Sequence, residues 1–225
     1  MNRTGKMILS AVLLVLCILF IVLIKSFDVA AIGPQDTAVG FSHLNQAFHN
    51  WTGTNMLWYR ITEICGYLAI LLALGFVALG AVQLFTRRSF MKVDPQIYAI
   101  GGLLVAIAVL YVLFEKVIIN YRPIIMPGDT EPEASFPSSH TMLSCCVFGG
   151  ALLLLPKYCK GLTLRIGQIV LSVLLVITVV GRLVSGVHWL TDIMGGVLIS
   201  LFLLSVYEIA LEQINSTEKT KGKRK

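Results

Sequence analysis

Met7-Ile-Leu-Ser-Ala-Val-Leu-Leu-Val-Leu-Cys-Ile-Leu-Phe-Ile-Val-Leu-Ile24 carries no charge over its whole length, and Ser10 is its only hydroxyl. Lipid cannot hydrogen-bond a backbone amide, so such a run is stable in a bilayer only as a helix. A crossing takes roughly 20 residues at about 1.5 Å each. Working outward, five further apolar stretches follow at about Ile64 to Phe85, Ile97 to Phe114, Met142 to Leu155, Ile166 to Val180 and Ile193 to Leu211. The fourth and fifth are short, which predicts that they extend into their polar flanks. Of 225 residues, 56% are hydrophobic and 13% charged, and the mean hydropathy is +0.83. That balance excludes a water-soluble globule. The fold class expected is all-α: a six-transmembrane-helix bundle forming one integral membrane domain over 1–225. Arg3 and Lys6 before the first run invite a signal-peptide reading, which ranks second because the run is long and five more spans follow.

Basic residues in short loops mark the cytoplasmic side. With the N-terminus inside, Arg3, Lys6, Arg87, Arg88, Lys92, Lys157, Lys160, Arg165, Lys219, Lys221, Lys223, Arg224 and Lys225 fall inside; only Lys25, Arg60, Lys116, Arg122 and Arg182 fall outside. Both termini are therefore expected in the cytoplasm, with 213–225 a basic tail that anchors topology and meets anionic headgroups, so that no nucleic acid is needed to explain the net charge of +6. The five cysteines form no C-x-x-C pair, and neither a disulfide nor a thiolate metal site is expected.

Between the first two spans, Phe41, Leu44, Phe48, Trp51 and Trp58 recur near three- and four-residue steps, which predicts a short interfacial helix in the first outer loop. The acidic stretch Pro127 to Glu133 reads as a solvated loop.

Three outward patches place polar residues where the membrane makes them costly: Lys116 to Pro123, Phe136-Pro137-Ser138-Ser139-His140-Thr141, and Gly181 to Asp192. His188 and Asp192 are four apart, so on a helix the carboxylate would hold one ring nitrogen and leave the other nucleophilic. Arg122 and Arg182 are planar forks suited to phosphate oxygens. Ser138 with the amides of Ser139 and His140, at a helix start, would cradle an anion. His140 could hand a proton to a leaving oxygen. Each piece also has a plain reading. The His–Asp pair could cap a helix, Pro-Ser-Ser-His is an ordinary helix start, and Arg122 before Pro123 could end one. A metal site of His140, His188 and Asp192 is disfavoured by the missing H-E-x-x-H and by the arginines, which repel a cation.

These motifs together resemble the type-2 phosphatidic acid phosphatase superfamily, whose signature is Lys-x6-Arg-Pro, Pro-Ser-x-His and Ser-Arg-x5-His-x3-Asp. Arg122-Pro123, Pro137-Ser138-Ser139-His140 and Arg182-x5-His188-x3-Asp192 match in order and spacing, and the signature region spans 115–192. The resemblance implies His188 as nucleophile, Asp192 as its orienting partner and His140 as general acid, with Arg122, Arg182, Ser138 and Ser139 holding phosphate; no metal or other cofactor is implied. Two positions depart. Glu115 stands at the lysine position, with Lys116 one residue nearer and turned by about 100° on a regular helix. Gly181 stands where the family usually has serine.

The function expected is metal-independent hydrolysis of a phosphate monoester or diphosphate on a membrane lipid (phosphatidate, phosphatidylglycerol phosphate, polyprenyl diphosphate or a phosphorylated glycolipid) through a phosphohistidine on the extracytoplasmic side. The alternatives are a lipid-to-lipid phosphotransferase, or a low-activity or non-catalytic lipid phosphate binder or transporter. The partners expected are the lipid substrate and the membrane.

Overall fold

The computed structural model describes residues 2–222; Lys223, Arg224 and Lys225 of the expected basic tail lie outside them. Six of its helices are long and apolar enough to cross a membrane. In chain order they are α1 (Arg3–Ser26), α3 (Met56–Arg87), α4 (Pro95–Lys116), α5 (Ser139–Tyr158), α6 (Gly161–Ser185) and α7 (Leu190–Gly222). The short α2 (Ser42–Thr52) fills the first outer loop beside a two-residue hairpin of β1 (Ala30–Ala31) and β2 (Ala38–Val39).

Local chemistry sets the ends. The side chain of Asn2 accepts from the Gly5 amide to start α1, and that of Asn55 accepts from Leu57 and Trp58 to start α3, as N-cap residues do. The short fourth and fifth stretches do extend into their polar flanks, becoming α5 and α6. Trp58 belongs to the first turn of α3 rather than to the interfacial helix, because Gly53 and the Asn55 cap separate the two. Past the expected end at Leu211, α7 continues as helix to Gly222. At that end Lys6 of α1 pairs with Glu208, at 2.6 Å, and with Glu212.

The centre of the bundle is α5, the most buried span, which packs on α3, α6 and α7. A side chain at Gly149 would stand 2.7 Å from Leu204 Cδ1 of α7, so the small residue lets these helices approach closely, as membrane bundles require. Chain reversal brings the ends of α4 and α6 and the starts of α3, α5 and α7 to one end of the bundle. There Gly186, at φ +66°, ends α6; a Cβ at that position would lie 1.8 Å from the Gly53 carbonyl oxygen. α2 is pinned against the start of α7, since Asn45 donates to Thr191 Oγ1 at 3.0 Å and accepts from the Thr191 amide at 3.2 Å.

Candidate active site

The connection between α4 and α5 folds back on itself. The Ser135 amide donates to the Asn120 carbonyl at 2.9 Å and the Arg122 amide to the Glu133 carbonyl at 3.0 Å, with Tyr121 bridged to Ala134. This pairing presents Asn120, Arg122 and Ser135 together beneath the turn that carries His188. Trp189 fixes the turn from the other side by donating Nε1–H to the Tyr121 carbonyl at 2.7 Å.

His188 and Asp192 do not form the direct helical pair expected from their spacing. His188 lies in the turn before α7 because Gly186 has already ended α6, and its Nδ1 is 3.9 Å from Asp192 Oδ2, beyond hydrogen-bond range. Ser135 fills the gap: its Oγ is 3.0 Å from His188 Nδ1 and donates to Asp192 Oδ2 at 2.5 Å. The carboxylate also accepts from Asn120 Nδ2 at 3.2 Å and from the Trp189 amide at 2.9 Å. The last bond is the return half of a capping box, so Asp192 both starts α7 and orients the histidine. Burial, with the charges of Arg122, Arg182 and His140, holds the His188 imidazole well below its usual protonation range, which leaves it neutral at pH 7. With Nδ1 engaged by Ser135, Nε2 is buried with no partner among the described residues.

Arg122 Nε lies 2.9 Å from Glu133 Oε2 as an ion pair without hydrogen-bond alignment, and both Nε and Nη1 are buried with no hydrogen-bond partner among the described residues. The acidic stretch thus supplies a partner to the site instead of being wholly solvated. Arg182 is completely buried. It donates through Nη1 to Thr62 Oγ1 at 3.3 Å and through Nη2 to Glu63 Oε1 at 2.9 Å; Nη2 also contacts His140 Nδ1, the guanidinium lies 5.0 Å from the centre of the Tyr59 ring, and Nε has no partner. His140 Nε2 meets the same Glu63 Oε1 at 2.9 Å. Gly181 makes this possible, since a Cβ there would stand 2.6 Å from Thr62 Cγ2 and 3.0 Å from Trp58 Cε3. A serine would push α6 from α3 at the residue that holds Arg182.

Arg122, Ser139, His140 and His188 line one cavity of about 350 Å³ with Glu115, Glu133 and Ser135. Arg182 stands behind His140 and does not line it. Two further expected phosphate ligands also lie off the lining. Ser138 is fully buried, with its hydroxyl accepting from Thr141 at 3.0 Å, and does not line the cavity. Lys116 is exposed and also off the lining; α4 is uninterrupted to that residue, so no bulge turns it inward, and Glu115 takes the lining position. Sharing a wall at Tyr111, Ser139, His140 and Met142 is a second, apolar cavity of about 580 Å³ between α3, α4 and α5, with Glu63 on its lining. Among the described residues, no group of three His, Cys, Asp or Glu side chains could hold a metal ion.

The sequence reading missed Ser135, Asn120 and Glu63. Glu63 carried a usable signal, since an acid at the edge of an apolar span marks function by default. Ser135 and Asn120 carried none, because only long-range pairing brings them to His188.

Comparison with known proteins agrees with the motifs. The PAP2 superfamily model matches residues 116–213. Phosphatidylglycerophosphatase B of Bacillus subtilis (strain 168) is 33% identical over 84 residues, 36% of this chain; the match spans 41% of that relative's length. The crystal structure of a transmembrane PAP2 type phosphatidylglycerolphosphate phosphatase from Bacillus subtilis superposes with a TM-score of 0.60 at 20% identity, covering 91% of this chain and 96% of that one. The six-span bundle is therefore a fold seen in a solved membrane protein.

Proposed function

We propose, from the premise that residues 116–213 form a PAP2 superfamily region, that the chain hydrolyses a phosphate ester of a membrane lipid through a phosphohistidine on His188. The carrying observation is the unpartnered Nε2 of a neutral His188 in the same cavity as the unpartnered Nη1 of Arg122. Buried groups of this kind are rarely left unpaired, and a nucleophilic nitrogen beside a guanidinium with unused N–H groups suits the phosphorus and oxygens of a phosphoryl group.

The lipid enters with its phosphate in the polar cavity and its chains in the apolar groove. His188 Nε2 attacks phosphorus and the bond to the lipid oxygen breaks, with Arg122 and the first-turn amides of α5 taking the charge on the phosphoryl oxygens. His140, released from Glu63, gives a proton to the leaving oxygen and then takes one from the water that cleaves the N–P bond. The positive charge that grows on the imidazole is met by Asp192 through Ser135. Both termini lie in the cytoplasm and the site on the extracytoplasmic side, since the ends of the bundle away from the cavity carry most of the basic residues.

Phosphate release from short-chain phosphatidate, phosphatidylglycerol phosphate and polyprenyl diphosphate in detergent tests the mechanism, with His188→Ala beside the parent. Release from the parent alone, unaffected by a chelator, is expected. Turnover that survives His188→Ala, or that a chelator abolishes, removes the phosphohistidine. Mass spectrometry of the products separates transfer to water from transfer to a second lipid.

A further inference from the structure

Every arginine near the nucleophile already has a carboxylate partner: Glu133 for Arg122 and Glu63 for Arg182. Glu115, a third carboxylate, lines the cavity and forms no salt bridge among the described residues, while the neighbouring lysine points elsewhere. Around the reacting position two arginines thus meet three carboxylates, with His188 neutral and the proton of His140 committed to the leaving oxygen. One phosphoryl group can be held here by displacing or sharing these partners. A second phosphate would have to find its own counter-charge, and the lining offers none.

Where that second phosphate would fall is fixed by the two cavities. The group transferred sits by His188 and Arg122, and the leaving group passes the shared wall at His140 into the apolar groove, whose lining at that wall includes Glu63. Glu63 spends only Oε1 on its two bonds, to Arg182 and His140; Oε2 keeps its full acceptor capacity. A hydroxyl on the leaving group can donate to it, whereas a phosphate can only repel it.

We propose that Glu63, backed by Glu115 at the rim, is the specificity-determining residue that restricts the site to phosphate monoesters with an uncharged or hydroxylated leaving group and rejects lipid diphosphates. This rests on the hydrolase reading above and narrows it. Discrimination of this kind is a difference between two affinities, set here by a repulsive element.

The test compares kcat/KM for short-chain phosphatidate, whose leaving group is uncharged, and for polyprenyl diphosphate in the parent, Glu63→Gln and Glu63→Asp. The parent favours the monoester. Glu63→Gln, which keeps the shape and removes the charge, raises the diphosphate-to-monoester ratio about tenfold, the size expected for one unit charge acting across several ångströms of partly polar medium; Glu63→Asp keeps the parent's preference. A merely structural role lowers both substrates together and leaves the ratio unmoved, which overturns the proposal, as does a parent that favours the diphosphate. Inhibition of the parent gives a readout independent of how the variants fold: methylenediphosphonate should inhibit at least about tenfold more weakly than methylphosphonate, and equal or stronger inhibition is refuting. A parent that hydrolyses neither lipid removes the hydrolase reading, and this inference with it; one that hydrolyses both equally removes this inference alone.

Discussion

Replacing Ser135 with alanine separates the His188 relay from a direct His–Asp pair. In the parent the serine hydroxyl spans a 3.9 Å gap between Nδ1 and the carboxylate, with 3.0 Å on one side and 2.5 Å on the other. Without it the imidazole loses its one hydrogen-bond partner among the described residues, while Asp192 keeps Asn120 and the Trp189 amide. Hydrogen bonds to charged groups are worth about 1.5–3 kcal/mol, and this one strengthens as the imidazole becomes cationic in the transition state. The loss in kcat/KM is therefore about 10- to 150-fold, carried by kcat, because Ser135 acts through His188 and the arginine–phosphate contacts are untouched. Recovery by Asp192 moving inward requires a shift of about 1 Å to reach normal bonding distance. The start of α7 resists that shift through the Asn45–Thr191 bonds and the Trp189 indole. Asp192→Asn, which removes the charge itself, should cost more, by about 10³-fold or above by analogy with other histidine–carboxylate pairs. The assay is initial-rate phosphate release across substrate concentration, on variants whose thermal midpoint in detergent matches the parent. A Ser135→Ala enzyme within threefold of the parent refutes the relay and leaves Asp192 to act directly.

The pH profile of kcat/KM follows from the His188 environment: the neutral form attacks, and its protonation is pushed well below the usual value, so activity holds through pH about 6.5 and is lost only as the pH falls through the lowered value. An acid limb centred at or above 6.5 contradicts this, and the same sign predicts stability that is complete above about 6.5 and declines with acid. Gly181→Ser, although it matches the resembled signature, should lower the thermal midpoint, since its Cβ meets Thr62 and Trp58 at an overpacking cost of about 1–3 kcal/mol; it should also lower activity by displacing the threonine that holds Arg182. An unchanged midpoint shows that α6 and α3 can part to admit a side chain at this position. Lys116→Ala should leave kcat/KM within about twofold, while Arg122→Ala should lower it by two orders of magnitude or more, the usual scale for a preorganised transition-state donor; a comparable loss in both places Lys116 on the phosphate.

What was legible in the sequence was whatever depends on composition and on neighbours along the chain. Six spans followed from apolar runs that have only one way to satisfy their amides in lipid, and α2 from a short amphipathic period. The histidines and arginines stood out because polar groups at span ends are costly. The geometry between them was legible only as far as local structure carried it. The four-residue spacing of His188 and Asp192 is helical, but Gly186 ends α6 and puts the histidine in the turn, so the contact needs a third side chain from the α4–α5 connection. That side chain is set by the pairing of 120–122 with 133–135, which no periodicity announces. Register decided against Lys116, because the face of continuous α4 that meets the cavity carries Leu110, Tyr111, Phe114 and Glu115, and the next position is turned away by about 100° more. The same continuity delivers Glu115 there, and the close fit at Gly181 brings α3 near enough for Glu63 to reach Arg182. The two departures from the resembled signature and the missed acid are therefore one arrangement: a proposed phosphate site with a carboxylate where the signature has a cation, which is the charge balance on which the proposed preference for monoesters rests.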